Sequence, residues 1–193
     1  VFRQSSIYVA ERAGITKPQG LAGKRVGIPE WAQTAGIYVR GYLQHQCGVG
    51  LQDIGWFQGG VNEAGRVEKV ALRLPAGVEL TRVPDRSLTA MLLAGEIDAI
   101  VSAREPAVFA AGDPRVKRLF PNPREVEEAY FRETGIYPIM HVLVIRRSIV
   151  EQHPWVAMNL FTAFDEAKNN SVQRLIGPAI PRVPLPWGPE LAS

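Results

Sequence analysis

The sequence predicts an α/β fold on a parallel sheet, and three observations carry that prediction. From Gly23 to Ser102, short apolar segments alternate with segments of helical period. Asp98-Ala99-Ile100-Val101-Ser102 is apolar without alternation, as in strands covered on both faces. The chain of 193 residues is 46% hydrophobic and 21% charged, enough for one large domain or two small lobes with cores.

The elements follow in order. Lys24 to Pro29 reads as a short strand that Pro29 ends. Thr34 caps the helix that follows: Ala35, Val39, Tyr42, Leu43 and Gln46 recur at helical spacing, and Gly48 sits where a left-handed cap belongs. Ile54 to Phe57 is a second strand, then Gln58 to Glu68 a polar loop containing Gly59-Gly60. Glu79 to Val83 alternates as a strand. Ser87 caps a short helix with Leu88, Met91 and Leu92 inward and Gly95 at its end. After the Asp98–Ser102 strand comes a charged stretch with a short helix around Arg124 to Arg132. The apolar run Tyr137 to Ile145 reads as a buried strand carrying His141 near its entrance. Pro154 at a first helical position then opens a long helix with the stripe Val156, Leu160, Phe161, Phe164 and Ala167. The succession implies parallel pairing with right-handed crossovers.

Composition excludes several functions. The net charge is +3, from 22 basic and 19 acidic residues, with no basic block and no interleaving of basic and aromatic residues. Nucleic acid is therefore not an expected partner, whereas a small anion is compatible. Cys47 stands alone, so no intrachain disulfide and no cysteine-rich metal site is possible. No apolar run reaches the length of a membrane span, so no membrane partner is expected. A cytoplasmic location fits, as does a disulfide-free periplasmic one. The opening Val1-Phe2-Arg3 and the Pro-rich Pro178 to Pro189, read as a surface wrap or linker, suggest a chain cut at both ends.

No Walker loop, GxGxxG fingerprint, nucleophile elbow or HExxH is present. His45, His141 and His153 lack ligand-like spacing; His45 meets a helix dipole and His153 reads as an N-cap. Four segments carry chemistry instead. Phe2-Arg3-Gln4-Ser5-Ser6 gathers a guanidinium and two hydroxyls. Glu30-Trp31-Ala32-Gln33-Thr34 sets an acid, an aromatic ring and a hydroxyl at a helix N-terminus, a natural anion pocket. Gly59-Gly60-Val61-Asn62-Glu63 is a glycine-led loop. Ser102-Ala103-Arg104 puts an arginine directly after a buried strand, in position for a bidentate carboxylate pair. The last three lie at predicted carboxyl ends of strands, where parallel sheets gather ligands, and predict an anion-binding cleft.

The segments Leu21 to Pro29 (LAGKRVGIP) and Leu92 to Val101 (LLAGEIDAIV) resemble the type 2 periplasmic-binding-protein superfamily. More specific are Phe2 to Val9, Pro29 to Ala35, Gly60 to Glu63, Gly135 to His141, Arg146-Arg147 and His153 to Val156. Together these resemble the 4,5-dihydroxyphthalate decarboxylase family over nearly the whole chain. The resemblance implies a two-lobed type 2 periplasmic-binding-protein-like fold, truncated at both ends. Lobe one would hold residues 1–22 and 137–193, lobe two residues 23–136, with Tyr137-Pro138 as the return crossover and His141 facing the cleft. It further implies decarboxylation of 4,5-dihydroxyphthalate to protocatechuate without a cofactor. A divalent metal held by His141 and Glu30 stays open, and so do two rival functions, a solute-binding protein of an uptake system and the sensing domain of a regulator. Chemical reasoning assigns the roles. Arg3 and Arg104 anchor carboxylates, aided by Thr34; His141 is the general acid, with Glu30 as alternative or partner. Ser5, Ser6, Trp31, Gly60, Asn62, Ser102 and Tyr137 complete the expected binding set.

Overall fold

Four consecutive buried residues form an inner strand of the sheet. In β1 (Ile7–Ala10), Ile7 and Val9 join one apolar cluster while Tyr8 and Ala10 join another. A strand sends successive side chains to opposite faces, so β1 is packed on both. The computed structural model describes residues 2–176.

After β1 come β2 (Arg25–Ile28), α1 (Thr34–His45), β3 (Gly55–Gly60), β4 (Leu80–Ser87), α2 (Leu88–Ala94) and β5 (Ala99–Val101). The series continues with α3 (Ala107–Ala110), β6 (Val116–Arg118), α4 (Pro123–Thr134), α5 (Arg147–Gln152) and α6 (Val156–Ile176). The six strands form one sheet in the order β4-β3-β2-β5-β1-β6. As expected, β2 runs parallel to β3 and β5, and β3 parallel to β4. The sequence reading missed β1 and β6, which pair antiparallel with each other, β1 also lying antiparallel to β5. Four apolar residues without a turn signal on either side gave no periodicity to read.

α1 lays Val39 and Leu43 on the face shared with Ile7, Val9, Val26, Ile28 and Trp56. α2 covers the other face with Leu88, Met91 and Leu92. Its cap is the expected one: the Ser87 hydroxyl accepts from the Ala90 N–H, and Gly95 closes the helix at φ 82°. Asp98 locks the sheet from below. It accepts from the Arg25 backbone and guanidinium at 3.1 Å and from Arg12 at 3.3 Å. Three smaller expectations shift. Gln33, not Thr34, holds the N-cap position of α1 and makes no side-chain cap bond; Thr34 is the first helical residue. Gly59-Gly60 ends β3 rather than opening a loop, with a register shift against β4 between Gln58 and Gly60. The helix after Pro154 begins at Val156.

Two compact units emerge. The first runs from Val1 to Met140, the second starts at His141. The hydrogen bonds of β1 to β5 and β6 place residues 7–10 inside the sheet of the first unit. The strand expected over Tyr137 to Ile145 does not form. Tyr137 is 61% exposed and Val144 83% exposed, and among the described residues no strand pairs with this run. An apolar run is a strand only where another edge takes its N–H and C=O groups. In the second unit α5 packs against α6, whose stripe residues Phe161 and Phe164 are exposed. The segment Pro178 to Pro189 lies outside the described residues. Among those residues no helix is long and apolar enough to cross a membrane.

Candidate functional site

Three parallel strands end on the same side of the sheet, and the residues after each end face a common space. Pro29 follows β2, Gly60 closes β3 ahead of Val61-Asn62, and Ser102 follows β5 with Arg104 two residues on. They line a cleft of about 310 Å³ together with Gln33, Glu63 and Arg66. The convergence expected from the strand order is therefore present within the first unit. Gly60, Asn62, Ser102 and Arg104 are brought together there.

The side chains of Asn62 and Ser102 have definite partners. The Asn62 amide donates to the Glu105 carbonyl at 3.1 Å, and its Oδ1 accepts from Thr89 Oγ1 at 3.0 Å and the Ala107 N–H at 2.8 Å. Asn62 thus ties the end of β3 to the entrances of α2 and α3. Ser102 is buried; its hydroxyl accepts from the Arg104 N–H at 3.1 Å, and its own N–H donates to the Ser6 carbonyl. Arg104 is exposed and makes no ion pair among the described residues, which leaves its guanidinium open to an anion.

The Glu30 segment is built differently from the expected anion pocket. Glu30 is buried and its Oε1 is taken by Arg66 through both Nε, at 2.8 Å, and Nη2, with Lys69 3.7 Å away. The N–H groups of Trp31 and Ala32 already hold a carboxylate, that of Glu68. The Trp31 ring lies in the core, edge-on to Trp56 at 5.5 Å and beneath the Arg40 guanidinium at 3.8 Å. Arg40 donates to the Trp31 carbonyl at 2.8 Å; burial pulls its pKa down to about 10, against the opposing charge of Glu68. Trp31 therefore shapes the turn from beneath, and Thr34 is not among the residues lining the cleft.

The remaining expected residues lie elsewhere. Arg3 lines a small cavity of about 10 Å³ with Tyr38, Tyr42 and Tyr130, its Nε 3.3 Å from Met140 Sδ. The Ser5 N–H donates to Glu127, Ser6 is buried under the β5 end, and Tyr137 packs edge-on to Phe2 at 5.2 Å. His141 opens the second unit, exposed and without a hydrogen bond among the described residues. No group of three or more His, Cys, Asp or Glu among the described residues is placed to hold a metal ion.

Sequence reasoning missed Arg66, Gln58 and Glu68. Gln58 is buried and its amide donates to the carbonyls of Pro29 at 2.8 Å and Arg66 at 3.0 Å, stitching β2, β3 and the following loop. Glutamine in an apolar strand was the available signal, since a buried amide demands partners.

No family model matches the chain. It is 40% identical over 187 residues, 96% of its length, to a 4,5-dihydroxyphthalate decarboxylase of Comamonas testosteroni. It is 39% identical over 132 residues, 68% of its length, to a 4,5-dihydroxyphthalate decarboxylase of Pseudomonas putida. These matches bear out the resemblance read from the motifs. The chain spans 57% of the first relative and 51% of the second. Among solved structures, the periplasmic aliphatic sulphonate binding protein SsuA from Escherichia coli is similar with a TM-score of 0.41 and 16% identity. That match covers 69% of this chain and 40% of SsuA.

Proposed function

We propose that this protein is a carboxy-lyase converting 4,5-dihydroxyphthalate to protocatechuate and carbon dioxide, and that the cleft at the strand ends holds its substrate. The observation that carries the reading is the 40% identity to a decarboxylase of that name over 96% of the chain. The cleft supports it chemically: an open guanidinium on Arg104 beside polar backbone suits a carboxylate.

Each carboxylate of this substrate lies para to one hydroxyl. The phenol oxygen pushes electrons into the ring, and the carbon bearing the departing carboxylate takes up a proton. The carbon–carbon bond then breaks, its electron pair restores the aromatic ring, and carbon dioxide leaves. Arg104 grips the carboxylate that stays. A group that changes charge near neutrality suits that proton transfer, and imidazole is such a group. No step of this scheme calls for a cofactor.

The test is incubation of the full-length protein with 4,5-dihydroxyphthalate while protocatechuate is followed by chromatography. Formation of product at a rate proportional to enzyme is expected. Tight binding without product would overturn the reading in favour of a ligand-binding protein.

A further inference from the structure

Glu30 is a buried carboxylate beside the cleft, and its Oε1 is held by Arg66. Its side chain is 8% exposed and the Arg66 side chain that covers it 40% exposed. Two donors of Arg66, Nε and Nη2, converge on Glu30 Oε1, which leaves Nη1 without a partner among the described residues. Arg66 lines the cleft and Glu30 does not. Backbone support completes the arrangement: the Arg66 carbonyl accepts from Gln58, which is itself anchored on the Pro29 carbonyl at the end of β2. A guanidinium held along its Nε–Nη2 edge by a buried carboxylate oxygen keeps its direction, because turning it away would leave the carboxylate without this partner.

We infer that Arg66 is a second anion-binding side chain of the cleft, beside Arg104, and that Glu30 is the positioning residue that aims it. The site then reads two anionic groups on one small ligand, which makes it selective for dicarboxylates over monocarboxylates. The inference rests on the proposed function for the identity of its substrate, but not for its binding chemistry. A general acid must reach the ring carbon it protonates, and Glu30 has the arginine interposed. In this inference Glu30 acts through Arg66 rather than on the substrate.

The experiment measures phthalate and benzoate binding to the full-length protein by calorimetry, alongside steady-state turnover of 4,5-dihydroxyphthalate. Phthalate is expected to bind more tightly than benzoate, and Arg66→Ala to weaken phthalate about tenfold or more while changing benzoate little. Arg66→Lys, which keeps the charge but loses the fork, should restore part of that loss. Glu30→Gln should raise KM by about tenfold with kcat largely kept. A preference for phthalate that survives Arg66→Ala overturns the role of Arg66. A collapse of kcat at unchanged KM in Glu30→Gln overturns the positioning role. Absence of turnover with an intact, Arg66-dependent preference for phthalate sinks the proposed reaction and leaves this inference standing.

Discussion

A methyl group added at Gly27 would lie 2.9 Å from both Ile97 Cδ1 and Leu88 Cδ2, closer than such carbons approach. Both neighbours belong to the cluster under α2, so neither has free space to retreat into. Gly27→Ala should therefore destabilise by about 1–3 kcal/mol, seen as a lower urea midpoint at unchanged slope. Arg104→Ala should raise the dissociation constant for dicarboxylates by about tenfold or more, because a charge-assisted pair is lost. Calorimetry that gives an unaltered constant removes Arg104 as the anchor. For His141→Asn, turnover should fall on the order of 100-fold with binding retained; full turnover strikes the histidine from the scheme. Arg104 was legible in the sequence because its signal is local, an arginine directly after a buried strand. Arg66 was not, since its meaning comes from a carboxylate 36 positions away that only the fold brings to it.

Elements were legible where they carry their own punctuation. α2 shows Ser87 at one end and Gly95 at the other, and the structure uses both. Ser87→Ala should cost about 1 kcal/mol by releasing the Ala90 N–H, measurable in thermal or urea unfolding. A loss near zero would mean that water replaces the cap without penalty. The run Tyr137 to Ile145 shows the converse. Its composition is that of a strand, but a strand is a relation between two segments, and no described segment answers it. β1 and β6 failed to appear for the opposite reason. They are short, and only their pairing partners define them.

At the scale of the whole molecule, Asp98 joins three parts of the first unit: Arg12 beyond β1, Arg25 on β2, and the approach to β5. Burial pushes its carboxyl upward, but the bonds and charge of Arg25, with Arg12, outweigh this and hold its pKa below the usual value. A depressed folded pKa contributes stability that is present above the unfolded value, about 3.9, and is lost as pH falls through the folded one. Urea unfolding between about pH 5 and pH 2 should show that loss, and Asp98→Asn should flatten it. An equally steep acid limb in the variant would assign it to other carboxylates.

The antiparallel insertion of β1 also has a temporal side. Ile7 pairs with Val101, and Val9 with Lys117. During synthesis β1 therefore leaves the ribosome long before either of its flanking strands exists. At roughly 5–20 residues per second, that interval lasts several seconds. Throughout it, a strand whose Ile7 and Val9 end fully buried has two open edges and no neighbour. Slowed translation or a late-acting mutation in β5 would prolong that exposure, so the yield of soluble protein in cells should respond to events almost a hundred codons downstream of the strand at risk.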